Sequence, residues 1–265
     1  MTLTTVLDRA SSAPTALGTH RPGGASVELR SVGKHFGRRR HGTDALADVT
    51  ATFAAGTITS VVGPSGSGKT ILATEFLAEG ARRGENGVIA AFEKSPSQLL
   101  NTTLNTLVKA GHVGVIDTRS LDLSVDETLH DLIEMTTRLK AKRVVIDSLS
   151  GFELALAPEF SEDFRGSLYR LIAELTSRGM TILMTSELED RYTDLRFSPF
   201  GSAFLADAIV VQRYIEIEGQ LKRAMSVVKV RGSQHSKEIR LFDISDAGIV
   251  MGQPGVDPIL SKVGS

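Results

Sequence analysis

The sequence predicts an α/β protein with a mostly parallel central sheet, helices on both faces of that sheet, and an antiparallel extension at its C-terminal end. Short apolar runs alternate with helical patterns between residues 57 and 185, which is typical of parallel strands joined by helical crossovers. The spacing G-x-x-x-x-G-K-T over Gly63–Thr70 lies between a strand-like run and a helical pattern. Three strand-like segments separated by turn residues follow residue 207, and such segments pair antiparallel.

Length and composition favour one folded domain without a strong overall charge. The 265 residues suffice for one α/β domain with tails, and 30 Lys and Arg residues nearly balance 31 Asp and Glu residues. The resulting net charge of −1 argues against a general affinity for nucleic acids or anionic membranes. The chain has no cysteine, which excludes disulfides, thiol catalysis and Cys-ligated metals. It lacks an apolar run of about 18 residues and an apolar signal core, so we expect a soluble cytoplasmic protein without a membrane partner.

The N-terminal segment carries little folding pattern of its own. Residues 1–24 are rich in Ser, Thr, Ala, Gly and Pro without a period, so we predict a disordered tail. A second loose tail is predicted at 252–265, which leaves a domain over 25–251. The basic stretch Lys34–His41 is typical of a solvated loop, while contact with phosphate or nucleic acid, or stacking of Phe36 on a base, stays open.

Gly63–Thr70 has the residue types of a phosphate-binding P-loop. Glycines allow backbone N–H groups to turn towards phosphate oxygens, and the following helix directs its positive end to the same charge. Lys69 can reach the β- and γ-phosphates, and the Thr70 hydroxyl can coordinate Mg²⁺. The strand and helix patterns on either side disfavour a turn that matches the motif by chance. The residues predicted to bind nucleotide here are Gly63, Pro64, Ser65, Gly66, Ser67, Gly68, Lys69 and Thr70.

Apolar periodicity, capping boxes and turn residues mark the remaining elements. Strands are predicted at 27–30, 57–62, 88–92, 113–116, 143–147, 181–185, 208–217, 220–230 and 238–244. Helices are predicted from the P-loop to about Arg82, from a capping box at 95–98 to about Ala110, from a second capping box at 124–127 to about Lys140, and along the apolar stripe Phe164–Leu175. Turns are predicted at Glu218-Gly219 and at Asp246-Ala247-Gly248.

Two carboxylates follow predicted parallel strands, at the edge where such sheets bind ligands. Asp147 closes an apolar strand and is placed to hold Mg²⁺ together with Thr70, the alternative being a helix-capping role. Glu93 follows the neighbouring strand and is the best candidate to orient or deprotonate the water that attacks ATP. The alternative for Glu93 is a cap of the next turn or an ion pair with Lys94.

The chain resembles the KaiC-type ATPases of the RecA superfamily in ordered segments that span roughly residues 57–251. The matching segments are Gly63–Thr70, Ala91–Pro96, Arg143–Ser150, Met184–Glu187, Ser226–Lys237 and Phe242–Ile249. This resemblance implies a RecA-like P-loop NTPase fold, with ATP and Mg²⁺ bound at the subunit interfaces of a homo-oligomeric ring, commonly a hexamer. It also implies that Lys229 and Arg231 reach the γ-phosphate of the neighbouring subunit, with His235 as a weaker candidate contact. Without the resemblance, these two cations are typical of an exposed basic strand.

Three features depart from that family. The family commonly has two adjacent glutamates after the second strand, whereas this chain has Glu93-Lys94, and a cation beside the base favours its charged form and lowers its basicity. Ala203 and Phe204 stand where the clock protein carries its Ser and Thr phosphate acceptors, which argues against autophosphorylation. The chain has one ATPase domain rather than two, and residues 27–56 do not match the family's usual entry to the P-loop.

The leading hypothesis is a homo-oligomeric, Mg²⁺-dependent ATPase that hydrolyses ATP slowly and acts as a conformational or signalling module. The alternative is a nucleotide-gated module that binds an unidentified protein partner without useful hydrolysis, which Lys94 favours. A RecA/RadA-like DNA-handling ATPase rests only on the shared fold and on Lys34–His41, and the net charge argues against a nucleic-acid partner. Residues 27–70 also resemble the start of an ABC-transporter nucleotide-binding domain, but no L-S-G-G-Q signature follows and Asp147-Ser148 lacks that family's Glu-Pro.

Overall fold

The computed structural model describes residues 27–29, 35–36, 43–44, 51–53, 56–92, 101–117, 124–155, 164–188, 204–232, 235–236, 238–245 and 248–252. Several predictions lie outside these residues. They include the tail at 1–24, the roles of Glu93 and Lys94, the capping box at 95–98 and, apart from residue 252, the tail at 252–265. They also include Ala203, the turn residues Asp246 and Ala247, and the basic stretch 34–41 except for residues 35 and 36.

Four short strands come first along the chain. They are β1 (Val27–Leu29), β2 (His35–Phe36), β3 (Thr43–Asp44) and β4 (Ala51–Phe53). β1 pairs antiparallel with β4, and β2 pairs antiparallel with β3. The first of these strands confirms the prediction made from the alternation that begins at Val27.

A nine-stranded sheet forms the centre of the fold. Its strands are β5 (Ile58–Gly63), β6 (Gly87–Ala91), β7 (Val113–Asp117), β8 (Arg143–Asp147), β9 (Thr181–Glu187), β10 (Ala208–Ile217), β11 (Gln220–Val230), β12 (Arg240–Ser245) and β13 (Gly248–Met251). The spatial order is β13-β12-β11-β10-β5-β9-β8-β6-β7. The strands from β10 to β7 pair in parallel, whereas β10 to β13 pair antiparallel. The predicted parallel sheet with an antiparallel C-terminal extension is confirmed.

Helices cover both faces of the parallel strands, as predicted. They are α1 (Lys69–Arg82), α2 (Thr102–Lys109), α3 (Val125–Leu139), α4 (Leu149–Ala155) and α5 (Phe164–Ser177). On one face, Leu77 of α1 and Leu104 of α2 pack against Ile89 and Val145 of the sheet. On the other face the predicted stripe of α5 packs, with α3 and α4, against the opposite side chains of the same strands. Each fully buried Leu contributes roughly 1.5–3 kcal/mol to this two-sided core.

The helix starts confirm one predicted cap and correct another. Ser124 caps α3 as predicted, because its Oγ accepts a hydrogen bond from the Glu127 N–H at 3.0 Å. The predicted unbroken helix from residues 95–98 to Ala110 is wrong. Asn101 has an extended backbone, with φ −70° and ψ 171°, and its side chain caps a helix that begins at Thr102. An asparagine side chain that satisfies the Leu104 N–H competes successfully with helix continuation at this point.

The antiparallel extension begins with a long hairpin between β10 and β11. Its turn residues Glu218 and Gly219 both have positive φ, 52° and 73°, as expected for a two-residue hairpin turn whose twist matches the strands. The hairpin register pairs Ile217 with Gln220 and continues back to Ala208 opposite Val230. The strand predicted at 238–244 is observed at 240–245, and β13, which was not predicted, pairs with it. The extension therefore places β12 beside the loop that joins β5 to α1.

Candidate nucleotide-binding site

The P-loop joins the centre of the sheet to the first helix. All six residues of β5 are buried, and the strand ends at Gly63. α1 begins at Lys69 without a side-chain cap and without an acidic residue in its first turn. Gly68, the residue before the helix, has φ 102°, a conformation that favours glycine. The positive end of α1 is therefore available to an anion bound within the loop.

Two glycines of the loop are required by close packing. A Cβ atom on Gly63 would lie 2.2 Å from the Gln212 carbonyl oxygen, and one on Gly68 would lie 2.9 Å from Ile244 Cδ1. Both neighbours belong to the antiparallel extension, on β10 and β12. The extension thus packs directly against the phosphate-binding loop. A larger residue at either glycine would push the loop and the extension apart.

Lys69 is the cation of the loop. Its side chain is buried, and Nζ donates hydrogen bonds to the carbonyl oxygens of Gly63 and Pro64, each at 2.9 Å. These bonds hold the ammonium group inside the curve of the loop. Carbonyl oxygens are weaker partners for an ammonium than phosphate oxygens, so a bound phosphate would compete for the same group.

Asp147 is the carboxylate of the site, and two threonines hold it. Its Oδ2 accepts a hydrogen bond from Thr70 Oγ1 at 2.9 Å, and its Oδ1 accepts one from Thr185 Oγ1 at 2.5 Å. Asp147 is only 7% exposed, and Thr185 on the adjacent strand β9 is fully buried. The predicted pair of magnesium-binding residues, Thr70 and Asp147, is therefore brought into direct contact across 77 residues of sequence.

A cavity of about 460 Å³ opens over these groups. It is lined by Ser65, Gly66, Gly68, Lys69, Thr70, Ile71, Asp147, Ser148, Glu187, Arg223 and Ile244. Its oxygen donors, the Thr70 hydroxyl and the Asp147 carboxylate, suit Mg²⁺. Across the described ranges, no group of three or more His, Cys, Asp or Glu side chains could hold a metal ion. That donor set fits a cation bound through few protein ligands together with phosphate oxygens, which is the usual arrangement for Mg²⁺.

The remaining P-loop residues contribute in different ways. Ser65 and Gly66 line the cavity, whereas Gly63 and Pro64 contribute the carbonyl groups that hold Lys69. Ser67 is fully buried, and its Oγ has no hydrogen-bond partner among the described residues. The predicted loop is thus assembled as a unit, with Ser67 packed beneath it rather than facing the cavity.

Three residues at or beside the cavity, Tyr214, Arg223 and Glu187, were not predicted from the sequence to belong to the site. Tyr214 donates a hydrogen bond to the Gly66 carbonyl at 2.7 Å, and the Arg223 guanidinium lies 5.5 Å from the centre of the Tyr214 ring. Arg223 lines the cavity, and its Nε is buried without a partner among the described residues. Glu187 ends β9 directly beside Gly63 and adds a second carboxylate to the wall. Tyr214 and Arg223 face each other in the predicted hairpin, so the hairpin register was the available signal for this pair.

Lys229 and Arg231 lie far from the P-loop of their own chain. β10 runs parallel to β5 and pairs Ala208 with Thr59, so its start lies beside the start of β5. β11 returns antiparallel and pairs Lys229 with Ile209, which places the two cations at this end of the sheet. The P-loop follows the other end of β5. Partly buried His235 lies a few residues past the same end of β11. One chain therefore does not bring Lys229 and Arg231 to its own phosphate site, and His235 is not among the residues that line the cavity.

Both cations are held by the segment that leads into β10. Lys229 Nζ donates to the Ala206 carbonyl at 2.8 Å, and Arg231 donates to the Phe204 carbonyl at 2.9 Å. Partial burial lowers the pKa of the Lys229 ammonium, the neighbouring Arg231 lowers it further, and Asp207 raises it in part. The arrangement gathers two positive charges at the C-terminal end of β11.

Glu93, the predicted water-orienting residue, lies outside the described residues. The strand that leads to it ends beside the carboxylate of the site, because Ala91 pairs with Asp147 and the Phe92 N–H donates to the Asp147 carbonyl at 3.1 Å. In the described part of the chain, no helix is long and apolar enough to cross a membrane.

Comparison with known proteins places these features in one family. The family model described as "ATPase: KaiC" matches residues 41–256. The chain is 30% identical over 200 residues to the circadian clock protein KaiC3 of Synechocystis sp., a match that covers 73% of this chain and 39% of that protein. It is 27% identical over 192 residues to the circadian clock oscillator protein KaiC of Picosynechococcus sp., covering 70% and 37% of the two chains.

A solved structure shares the fold. The crystal structure of the KaiC-like protein PH0186 from the hyperthermophilic archaeon Pyrococcus horikoshii OT3 superposes with a TM-score of 0.64 at 27% sequence identity. That match covers 75% of this chain and 90% of the other. By contrast, the chain spans less than two fifths of the length of the two clock proteins it matches.

Proposed function

The chain belongs to the KaiC family of ATPases and has a RecA-like α/β fold, and we propose that it binds Mg²⁺·ATP at Gly63–Thr70 and hydrolyses it slowly. We further propose that it does so in a homo-oligomer, with each nucleotide between two copies. The observation that carries the proposal is the contact between Thr70 and Asp147 at the mouth of the P-loop. It joins the two groups that magnesium-dependent phosphoryl transfer requires, on a loop whose helix end and buried lysine are suited to phosphate.

Binding uses groups that are already in place. The positive end of α1 and the backbone of the loop surround the β-phosphate, and Lys69 exchanges its bonds with the Gly63 and Pro64 carbonyls for bonds to phosphate oxygens. Arg223 lies on the cavity wall with a buried Nε that has no described partner, so it provides a further cation from the same chain. Tyr214 holds the Gly66 carbonyl and keeps the loop in its binding shape.

Thr70 and Asp147 are the residues that would hold Mg²⁺, which offsets the charge that develops on the phosphates. Thr185 fixes one oxygen of Asp147 and leaves the other towards Thr70. This orientation directs the Asp147 carboxylate at the cavity rather than at the interior of the sheet. A carboxylate held in this way loses little conformational freedom when the cation binds.

Hydrolysis requires a base or a water-orienting group, and we assign this role to Glu93. The assignment is supported by the end of β6 beside Asp147 and by the absence of another carboxylate nearer in sequence to that strand end. Glu187, on the opposite side of Asp147, is placed on the cavity wall and contributes negative charge there. Glu93 would accept a proton from the attacking water as the bond to the γ-phosphate breaks.

The location of Lys229 and Arg231 supports a site shared between copies. Neither side chain reaches the P-loop of its own chain, because the two cations lie at one end of the strands and the P-loop follows the other end. A head-to-tail assembly would bring the end of β11 that carries these two cations to the phosphate site of the next copy. There the two cations would stabilise the charge of the transition state. ATP bound at such a junction would stabilise the assembled state.

The test is ADP production by the wild type, Glu93→Gln and Lys69→Ala, with ATP binding measured in parallel. We expect turnover in the wild type, binding without turnover in Glu93→Gln, and loss of binding in Lys69→Ala. Glu174→Gln, a glutamate of α5 that pairs with Arg178 away from the site, is the matched control and should keep both activities. Turnover of Glu93→Gln at the parental rate would refute the base assignment, and unchanged binding by Lys69→Ala would refute the site.

A second candidate function is a nucleotide-gated module that binds a protein partner without useful hydrolysis. The observation that favours it is Lys94, a cation directly after the proposed base, which stabilises the charged form of that carboxylate and weakens it as a proton acceptor. This candidate predicts ATP-dependent assembly with no detectable ADP formation, whereas the leading proposal predicts both.

A further inference from the structure

Asp207 joins two distant parts of the fold. It lies directly before β10, and its N–H donates to the Ile58 carbonyl at 2.8 Å, while its Oδ2 accepts from the Ile58 N–H at 3.0 Å. Ile58 is the first residue of β5, the strand that ends at the P-loop. Two reciprocal hydrogen bonds thus fix the backbone and the carboxylate of Asp207 against the central strand.

The other oxygen of this carboxylate faces Arg231. One guanidinium nitrogen of Arg231 lies 3.3 Å from Asp207 Oδ1, and the Arg231 N–H donates to the Asp207 carbonyl at 2.7 Å. A second guanidinium nitrogen donates to the Phe204 carbonyl. The Arg231 side chain is 57% exposed, yet these contacts give it one orientation. The two carboxylate oxygens of Asp207 therefore have separate tasks, one towards the sheet and one towards the cation.

Stability alone does not explain a carboxylate at this position. An ion pair with this much exposure contributes little to the stability of the fold, and an asparagine oxygen could equally accept the Ile58 N–H. What the negative charge adds is a partner for a cation that would otherwise sample many rotamers. It also offsets the repulsion between the neighbouring cations Arg231 and Lys229.

We propose that Asp207 is the positioning residue of the shared nucleotide site, and that it orients Arg231 of its own copy towards the nucleotide bound by the next copy. This inference rests on the proposed function, because it requires Arg231 to act in trans. Because Asp207 is hydrogen-bonded to Ile58, the position of the Arg231 guanidinium is fixed relative to β5. The cation that one copy presents is thus held in fixed relation to the strand that carries its own P-loop.

The first test is steady-state turnover of Asp207→Asn, which keeps an acceptor for the Ile58 N–H and removes the charge. We expect kcat to fall about 10- to 100-fold, as for a misplaced catalytic group, with KM for ATP unchanged because the variant's P-loop is intact. Adding Asp207→Asn to Arg231→Ala should lower turnover no further, since the positioning residue has then lost its target. A purely structural role would lower turnover in both backgrounds, and wild-type turnover in Asp207→Asn would overturn the inference.

The second test mixes variants before ATP is added. Lys69→Ala lacks a working P-loop but presents intact cations, whereas Asp207→Asn has an intact P-loop but misplaced cations. A junction that pairs the P-loop of Asp207→Asn with the cations of Lys69→Ala has both working halves, and ATP bound there joins the two copies. We therefore expect the mixture to turn over ATP well above the sum of the two variants alone.

The matching mixture of Lys69→Ala with Arg231→Ala separates the inference from the function on which it rests. Rescue of Arg231→Ala but not of Asp207→Asn would show that Asp207 acts on the nucleotide site of its own copy and not on that of the next copy. That result would overturn the inference while leaving the shared site intact. Failure to rescue Arg231→Ala, or a wild type without turnover, would overturn the proposed function and the inference together. Rescue of both variants supports both.

Discussion

Replacing Thr185 with valine removes one hydroxyl from the centre of the proposed site with almost no change in volume. Thr185 Oγ1 donates to Asp147 Oδ1 at 2.5 Å, and both residues are buried. Hydrogen bonds to charged groups contribute roughly 1.5–3 kcal/mol, because the buried Oδ1 of Asp147 is left without its donor when the Thr185 hydroxyl is removed. For a protein of this size that loss corresponds to a fall in melting temperature of roughly 3–12 °C.

The same substitution should weaken magnesium binding. Thr185 orients Asp147, and removing the partner of a metal ligand typically costs about 10- to 100-fold in metal affinity. The assay is calorimetric melting, together with the Mg²⁺ concentration that gives half-maximal ATP binding. Thr185→Ser is the matched control, since it keeps the hydroxyl and loses only a methyl group. If Thr185→Val has the same melting temperature as Thr185→Ser and needs the same Mg²⁺ concentration for half-maximal ATP binding, the assigned role of this hydrogen bond is wrong.

Two further predictions follow from the loop and from α1. Gly68→Ala should lower both ATP affinity and melting temperature, because Gly68 has φ 102° and the new Cβ would lie 2.9 Å from Ile244 Cδ1. Gly84→Ala shares the positive φ, 74°, but has nothing within 4 Å, so it should lower stability by about 1–2 kcal/mol and leave ATP binding intact; equal effects of the two on ATP titrations would contradict this account. Burial raises the pKa of the Glu75 carboxyl above its usual 4.5, so the folded state favours the protonated form. The contribution of this protonated carboxyl to stability is complete below pH 4.5 and is lost as the pH rises through the raised pKa. Glu75→Gln should therefore melt higher than the wild type at pH 7, with the difference gone below about pH 4.5, and a difference that persists or grows at low pH would contradict the assignment.

The parallel core was predictable because its signals are local. A strand buried on both faces reads as a continuous apolar run, as at residues 144–146 of β8, and a P-loop combines fixed glycines with a strand and a helix on either side. Ser124 was read correctly as a helix cap, since its partner lies only three residues away. Where a single segment contains both the pattern and its cause, the sequence is sufficient.

The groups around the site were not predictable in the same way because their partners are distant in sequence. Nothing near Thr185 indicates that its hydroxyl holds Asp147, 38 residues away, and nothing near Tyr214 indicates a bond to Gly66, 148 residues away. The first contact depends on β9 lying beside β8 and the second on β10 lying beside β5, and that strand order is set by the packing of the whole sheet. The unbroken helix predicted up to Ala110 is wrong for a local reason, because the Asn101 side chain caps a helix that begins at Thr102.

The central claim is that this P-loop binds ATP and that a second copy completes the site. Light scattering of the wild type and of Lys69→Ala, with and without Mg²⁺·ATP, tests it most directly, with the exposed lysine variant Lys109→Ala as control. We expect ATP to raise the mass of the wild type and of Lys109→Ala to that of a multi-subunit assembly, while Lys69→Ala stays at its nucleotide-free mass. Assembly of Lys69→Ala at the same ATP concentration, or wild-type protein that binds ATP without a change in mass, would contradict it.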